Sequence, residues 1–549
     1  MDEHIKSDNK AVSAEVTKDQ TYVHCLDGFK LYSILSGIMI ATILISLDVS
    51  IISTAIPAIT SQFHAATDGG WYGAAYPLTM CSLQPLSGKI STLYPLRWTY
   101  VVFFGIFLLG SLLCGVANSS IMFIIGRAVA GTGGAGVVSG GLSVIAMITP
   151  SIHRPLFTGL VTSLYAVGTV VAPIIGGALT NNVTWRWCFL INLPAGGITI
   201  IILLLFFHPP STIVTTGTQT MREKIRQLDL FGCIIFVPSI VMVFLALRWG
   251  GNEYSWNSAV VIGLFVGFAA SMMIFILWEL HKGEEAMIPF RLLQERSVVL
   301  SIIFAFLFMG SFVIPVYYLP EWFQIVKNAS PIRSGIMLLP SVFTQILGSI
   351  ISGVLAKHVK YYNPWFFLGS TLLCIATSLY TTFTAFTTSS GNWIGFQILQ
   401  GLGCGFAAQM ALLTVQNILE SRPKDIPVGI SIVLFAQYFG SSVMQTIGNS
   451  LFQNKLTYSL DSYAHLNSTG VAILLEAGNL RMRETALQVF PDRLEAIITA
   501  YNDAVTTVFY LAVAGSALAF VLSFGIKWIN TTQTTANEAT ENRTASNKP

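Results

Sequence analysis

Two ionisable residues stand in sequence that is otherwise fit for hydrocarbon. Asp48 lies in Leu47-Asp48-Val49-Ser50-Ile51-Ile52-Ser53-Thr54-Ala55-Ile56-Pro57, and Arg127 lies in Ile125-Gly126-Arg127-Ala128-Val129-Ala130-Gly131. An ionised Asp in a bilayer costs ~3 kcal/mol or more, so it should face a bundle interior and hold a partner. Depth selects Arg127. Asp48 is nine residues from Pro57 and Arg127 seven from Ser120, about 13 Å and about 10 Å at the helical rise. Two chemistries are open to such a pair. It can lock two helices as a structural ion pair, or it can be an acid that cycles between protonated and ionised forms beside an arginine.

Other polar side chains inside apolar stretches are amides: Gln84, Gln345, Gln409, Gln416 and Gln437. Amides can hydrogen-bond a small molecule without demanding a charge, or join helices to each other. Gln409 and Gln416, seven apart, share a helix face. Signatures of catalysis are missing. There is no phosphate-binding Gly-rich string of the GxxxxGK type, no nucleophile elbow and no HExxH. The seven Cys (25, 81, 114, 188, 233, 374 and 404) have no metal-ligand or CxxC spacing and read as small apolar fillers. The expectation is a non-enzyme with no metal and no cofactor, whose partners are a small-molecule substrate and the lipid bilayer, with no nucleic acid. A monomer is expected.

The elements that must position these residues are membrane helices. The chain has 549 residues, 53% hydrophobic and 10% charged, with a mean hydropathy of +0.67. A soluble domain carries about 25% charge. Apolar runs of about 20 residues recur, which defines an all-α polytopic membrane protein. Fourteen spans can be marked, near 31–57, 70–89, 98–117, 120–149, 156–180, 186–207, 229–249, 259–280, 298–319, 333–356, 364–386, 392–419, 427–450 and 505–528. One set of short loops carries Lys89, Arg97, Arg154, Arg222, Lys224, Arg226, Lys282, Arg291, Arg296, Lys357, Lys360, Arg422 and Lys424, with Lys18, Lys30 and Lys527 flanking the termini on that side. The opposite set carries Arg186, Lys327 and Arg333. Positive charge stays inside, so both termini are expected in the cytoplasm. Residues 1–30 lack the apolar core of a cleavable signal, and the first span serves as the signal. Residues 451–504 form a long outer loop in which Leu494, Ile497, Ile498 and Tyr501 have helical spacing, which predicts an amphipathic helix lying on the outer surface and leading into the last span. The tail after Asn530 is expected to be disordered. Outer sequons fall at Asn467, Asn118, Asn182 and Asn328, of which Asn467, in the long loop, is the best placed.

An internal repeat organises the spans. Arg127-Ala-Val-Ala-Gly131-Thr-Gly133 aligns with Gln397-Ile-Leu-Gln-Gly401-Leu-Gly403. Ser87-Gly88…Arg97-Trp98 is echoed by Ser352-Gly353…Pro364-Trp365, and Gly168 and Gly176 by Gly440 and Gly448. The repeat predicts a tail over 1–30, a six-helix bundle over 31–207, a linker with two extra helices over 208–297, a second six-helix bundle over 298–528, and a tail over 529–549.

Gly168, Ala172 and Gly176 fall four apart on one helix face, where small residues allow close helix packing. Pro173 removes a hydrogen bond beside that face and can bend the helix. The string Gly168-Thr-Val-Val-Ala172-Pro173-Ile-Ile-Gly176-Gly177 resembles the antiporter motif of major facilitator superfamily drug exporters, with Ala172 in place of a Gly. The Trp185-Arg186-Trp187…Asn192-Leu193-Pro194 stretch that follows resembles the fourteen-span drug:proton antiporters. So do Asp48 and Gly126-Arg127, which stand where those exporters have a Leu-Asp and a Gly-Arg motif. Gly88-Lys89…Arg97 stands where the superfamily has a cytoplasmic loop motif, but the Asp and central Arg of that motif are absent. Tyr318-Leu-Pro-Glu-Trp-Phe-Gln324 and Ser334-Gly…Pro340 resemble fungal exporters of toxins and secondary metabolites. The resemblance implies the major facilitator fold with 14 helices (6 + 2 + 6) and a substrate site between the halves. It implies proton-coupled efflux of an amphipathic toxin, drug or secondary metabolite, with Asp48 and Arg127 as the coupling pair, Gly168, Ala172, Pro173, Gly176 and Gly177 as a hinge, and Gly88, Lys89 and Arg97 as a cytoplasmic gate. A siderophore-type importer and a non-transporting receptor are the alternatives. The plasma membrane is the expected location, with a vacuolar or vesicle membrane behind it.

Overall fold

The computed structural model describes residues 28–65, 68–207, 223–224, 227–251, 253–478 and 481–528. The expected tails before residue 28 and after residue 528, with Lys18, Cys25, Arg222 and Arg226, lie outside the described residues. The long helices are α1 (Phe29–Phe63), α2 (Gly69–Leu93), α3 (Leu96–Gly115), α4 (Ser120–Ile148), α5 (Arg154–Asn182), α6 (Asn192–Phe206), α7 (Leu230–Trp249), α8 (Ala259–Lys282), α9 (Arg296–Ile325), α10 (Leu339–Val359), α11 (Asn363–Tyr380), α12 (Ser390–Ala407, carried on by Met410–Ile418), α13 (Ile426–Ala464) and α14 (Leu494–Ser523). No strand occurs among the described residues beyond the isolated bridge Gly250–Tyr254. Serine N-caps start several helices. Ser119, Ser258 and Ser389 accept the backbone N–H of Met122, Val261 and Asn392, which are otherwise orphan donors.

Twelve of these segments are long and apolar enough to cross a membrane. The sequence predicts fourteen, and the two outside that set are α2 and α11. The difference is compositional. α2 buries Ser82, Gln84, Ser87, Lys89 and Ser91, and α11 buries Asn363, Ser370 and Thr377, so both carry polarity towards their neighbours. The end of the outer loop leads into the last span as a helix, as the spacing predicts, but it does not lie on the surface. Leu494, Ile497, Ile498 and Tyr501 open the continuous α14, and Ile497, Ile498 and Tyr501 are buried. Apolar residues at helical spacing mark a helix but leave open whether it lies flat or dives. Short helices Ser468–Glu476 and Met482–Val489 occupy the loop itself.

The sequence repeat reappears as a packing repeat. A Cβ on Gly131 would strike Tyr76 of α2, and one on Gly401 would strike Ser341 of α10. A Cβ on Gly133 would lie 2.6 Å from the Phe103 carbonyl of α3, and one on Gly403 2.8 Å from the Gly369 carbonyl of α11. Gly168 packs against Ser46 of α1, and Gly440 against Phe306 of α9. Each glycine removes a side chain where two backbones meet, and the same pairs of helices meet in both halves of the chain.

The halves touch each other near the end that carries the Lys- and Arg-rich loops. A Cβ on Gly353 of α10 would lie 2.9 Å from the Pro155 carbonyl and 2.9 Å from the Leu156 Cα of α5. A Cβ on Gly159 would lie 2.7 Å from the Ser349 carbonyl, and one on Gly88 of α2 2.8 Å from the Pro427 carbonyl of α13. Arg154 pairs with Glu420 at 3.1 Å across the same boundary. Towards the other end of α2 and α5, Gly73 and Gly177 have no neighbour within 4 Å of an added Cβ. Bulk at the tight positions should therefore open one end of the molecule and bulk at the loose ones should not. Spin labels at the exposed His153 and His358 should report a longer distance in Gly353→Leu than in the wild type, and an unchanged one in Gly177→Ala. An unchanged distance in Gly353→Leu would contradict this packing.

Candidate functional site

Five helices bring their polar groups to one buried point. α1 supplies Asp48 and α4 supplies Arg127, whose Nη1 donates to Asp48 Oδ2 at 2.5 Å; both side chains are fully buried. The same Nη1 reaches the Asp48 backbone carbonyl at 3.3 Å, and Nε donates to the Tyr72 carbonyl of α2 at 3.2 Å. α6 supplies Asn192, whose Nδ2 donates to Asp48 Oδ1 at 3.1 Å and to Ser111 Oγ of α3 at 3.1 Å. Each carboxylate oxygen thus has a donor from a different helix. The guanidinium lies over the Tyr76 ring at 4.7 Å and the Phe189 ring at 5.7 Å. Three further polar atoms of this site are buried without a partner: Arg127 Nη2, Asn192 Oδ1 and the Tyr76 hydroxyl.

The surroundings keep water away. Tyr72, Phe123, Trp185 and Phe189 pack edge to face, with centroids between 5.0 and 5.7 Å for the pairs that include Phe123. Tyr72 also hydrogen-bonds Ser120 at 2.9 Å, and Ser120 donates to Asp68. Trp185 Nε1 donates to Gln62 at 2.6 Å, and Arg186 donates to the Gly115 and Ala117 carbonyls. The stretch from Trp185 to Asn192 therefore both caps the pair and feeds it a hydrogen bond. The sequence signal for Asn192 is an amide next to an apolar span. Its pairing with Asp48 is not legible, because 144 residues separate the two.

The remaining candidates fall in several places. Gly168 and Gly176 set α5 against α1, at Ser46 and at Ile51 and Thr54, and Ala172 is buried between them. Pro173 is exposed within a helix that continues past it. Gln84 donates to the Ala135 carbonyl of α4, Gln409 to the Ser349 carbonyl and Ser352 hydroxyl of α10, and Gln437 to the Ala408 carbonyl. These three amides join helices. Gln345 is half-buried, and Gln416 is buried with neither amide atom partnered. Of the gate residues, Gly88 meets α13, Lys89 Nζ donates to the Ala286 carbonyl at 2.6 Å, and Arg97 turns back to the Leu204 carbonyl of α6. Asn118, Asn182, Asn328 and Asn467 are all exposed.

Residues 38–444 match the family model described as Major Facilitator Superfamily. The chain is 44% identical to the MFS-type transporter poxA of Penicillium oxalicum over 92% of this chain and 89% of that protein. It is 40% identical to an MFS-type efflux pump of Trichophyton rubrum, covering 94% and 95% of the two chains. It is 37% identical to the efflux pump aflT of Aspergillus parasiticus, covering 92% and 96%. Among solved structures, the proton:xylose symporter XylE bound to 6-bromo-6-deoxy-D-glucose superposes with a TM-score of 0.59 at 12% identity, over 91% of this chain and 96% of that one. That likeness carries the fold alone.

A buried ion pair is costly to half-dismantle. Removing one member leaves an uncompensated charge, at about 3–5 kcal/mol. Arg127→Ala should lower the unfolding free energy in detergent by about that amount. Asn192→Ala, which strips one hydrogen bond from Asp48, should lower it by about 1–3 kcal/mol. Denaturation of Arg127→Ala at the wild-type midpoint would contradict the geometry.

Proposed function

Because the chain belongs to the Major Facilitator Superfamily, we propose that it exports an amphipathic small molecule, a toxin, drug or secondary metabolite, at the expense of a proton gradient. The observation that carries this reading is the dry Asp48–Arg127–Asn192 centre inside a chain whose relatives include efflux pumps. The Arg127 cation and the Asn192 amide favour the ionised carboxylate, and exclusion of water favours the neutral acid. Three helices hold the three groups, so a shift of α1 against α4 or α6 changes which form is preferred. That is the requirement for coupling a proton to a conformational cycle.

The cycle is alternating access. The halves are 31–207 and 298–528, α7 and α8 lie between them, and α2 and α11 complete fourteen spans. In support, α2 packs on α4 and α13, and α11 packs on α12 and α14, all of them apolar enough to span. The basic loops mark the cytoplasmic side, so both termini are cytoplasmic and Asn467 is outside, open to glycosylation. The tight contacts at Gly88, Gly159 and Gly353 are then at the cytoplasmic end, which supports reading this arrangement as outward-facing. The small face of α5 on α1 lets the two helices stay close while Pro173 gives α5 a bend to use. Tyr76, Tyr165 and Tyr438, from α2, α5 and α13, lie within electrostatic reach of one another. Their rings and hydroxyls suit a substrate that is partly aromatic and partly polar. The plasma membrane is the location that fits export, the chain works as a monomer, and no cofactor is needed.

Profiling of small molecules in cells that lack the protein tests this reading. At least one amphipathic product should be retained inside and depleted from the medium relative to the wild type. Unchanged partition of every product, or a deficit inside the cells, would overturn export.

A further inference from the structure

The two helices between the halves carry a pair of carboxyls that the coupling centre does not use. Asp229 caps the start of α7 and Glu279 lies in the last turn of α8; they are 2% and 8% exposed. Asp229 Oδ1 accepts from the Gly232 N–H at 3.2 Å and from Trp278 Nε1 at 2.7 Å. Glu279 Oε1 and Oε2 accept from the Met287 and Ile288 N–H groups at 3.2 and 2.8 Å. Three of the four oxygens are therefore satisfied. The fourth, Asp229 Oδ2, is buried with no donor.

What faces that oxygen is another acceptor. The Asp229 and Glu279 side chains lie within hydrogen-bond reach of each other. They converge over Gly232, where an added Cβ would meet the Asp229 carboxyl and lie 3.1 Å from Glu279 Oε1. Two carboxylates that close, with the buried apolar cluster of Phe236, Phe275 and Met287 on the same helices and loop, cannot both stay ionised. Only a hydrogen between the two oxygens turns their contact into a bond and satisfies Oδ2.

We propose that Asp229 and Glu279 form a second proton-binding site, holding one proton between Asp229 Oδ2 and Glu279 Oε1 at the basic end of the inserted helices. Lys89 of α2 is the cation that faces it. Its ammonium donates to the Ala286 carbonyl, in the loop after α8, and its charge faces Glu279, Asp229, Asp425 and Glu284. The other charged groups of that loop are engaged elsewhere. Arg291 pairs with Glu284 at 3.0 Å and with Asp425, at the start of α13, at 2.9 Å, and Lys282 pairs with Glu285 at 3.5 Å. The loop is thus held to α2 by Lys89 and to α13 by Arg291. With the proton in place the carboxyl pair carries one negative charge. Loss of the proton gives it two, which draws Lys89 more strongly and tightens the closure of this end; uptake relaxes it. Lys89 then acts as the charged partner in a loop that lacks the family's Asp.

The test is infrared titration of the purified full-length protein in lipid. At neutral pH the wild type should show a protonated-carboxyl band, sensitive to D2O, that is lost in Glu279→Gln and titrates at a lower pH in Asp229→Asn, because burial of Glu279 remains there but the facing carboxyl that shares the proton is gone. Both substitutions keep shape, and the same difference should persist in an Asp48→Asn background, which separates this site from the coupling centre. In Lys89→Met the band should persist to a pH about one unit higher, since a facing cation favours the ionised form. Equal bands in the wild type and the two carboxyl variants overturn the proposal. A band that responds to them in this way but titrates at the wild-type pH in Lys89→Met overturns the role of Lys89.

Discussion

An ion pair with no access to water constrains everything around it. Asp48 and Arg127 are each fully buried, and the desolvation of two such ions costs several kcal/mol apiece. The arrangement survives because both carboxylate oxygens, one backbone carbonyl of α1 and one of α2 share the available donors. Satisfying them fixes the relative depth of α1, α2, α4 and α6 and ties α3 in through Ser111. The glycines along α4 are the counterpart of this constraint. Gly131 and Gly133 bring α4 close enough to α2 and α3 for Arg127 to reach its partners without crossing lipid.

The second half repeats the scaffold and omits the charge. Gln397 stands at the position that aligns with Arg127, and its Nε2 donates to the Met337 carbonyl at 2.9 Å. Gln400, one turn on, accepts from Tyr380 at 2.6 Å. Amides join helices there without an ion to desolvate, so the buried charge of the two bundles is concentrated in the first. Under the proposed function this asymmetry divides the labour, with the first half handling the proton and the second moving against it. α7 packs against both α2 and α13. Phe236 of α7 packs on Phe435 of α13, and Leu86 of α2 packs on the same cluster.

Much of this was legible because membrane sequence is restrictive. Asp48 and Arg127 stand out as ions among apolar neighbours, and a fixed rise per residue converts their positions into matching depths. The repeat was legible for a similar reason: glycines at Gly131, Gly133 and Gly168 and their counterparts mark close helix contacts with little room for a side chain. Other features leave no such trace. Lys89 binds a backbone carbonyl 197 residues away, and any residue could supply that carbonyl. Asn192 and Asp48 meet only because α1 and α6 pack together. Gln84 and Gln409 read as open to a substrate or to neighbouring helices, and burial against α4 and α10 commits them to helices. Leu494 to Tyr501 has helical spacing whether it lies on a surface or enters a core.

The central claim is that Asp48 carries the coupled proton. It is tested most directly in inside-out vesicles, by substrate accumulation with and without an acid interior, comparing the wild type with Asp48→Asn. The variant keeps the size of the side chain and its contact with Arg127 but cannot ionise. The account predicts that the wild type accumulates substrate against its gradient only when the interior is acid. It predicts that Asp48→Asn loses this uphill accumulation while still exchanging labelled for unlabelled substrate. Wild-type accumulation by Asp48→Asn would contradict the account and leave the buried pair as a structural lock.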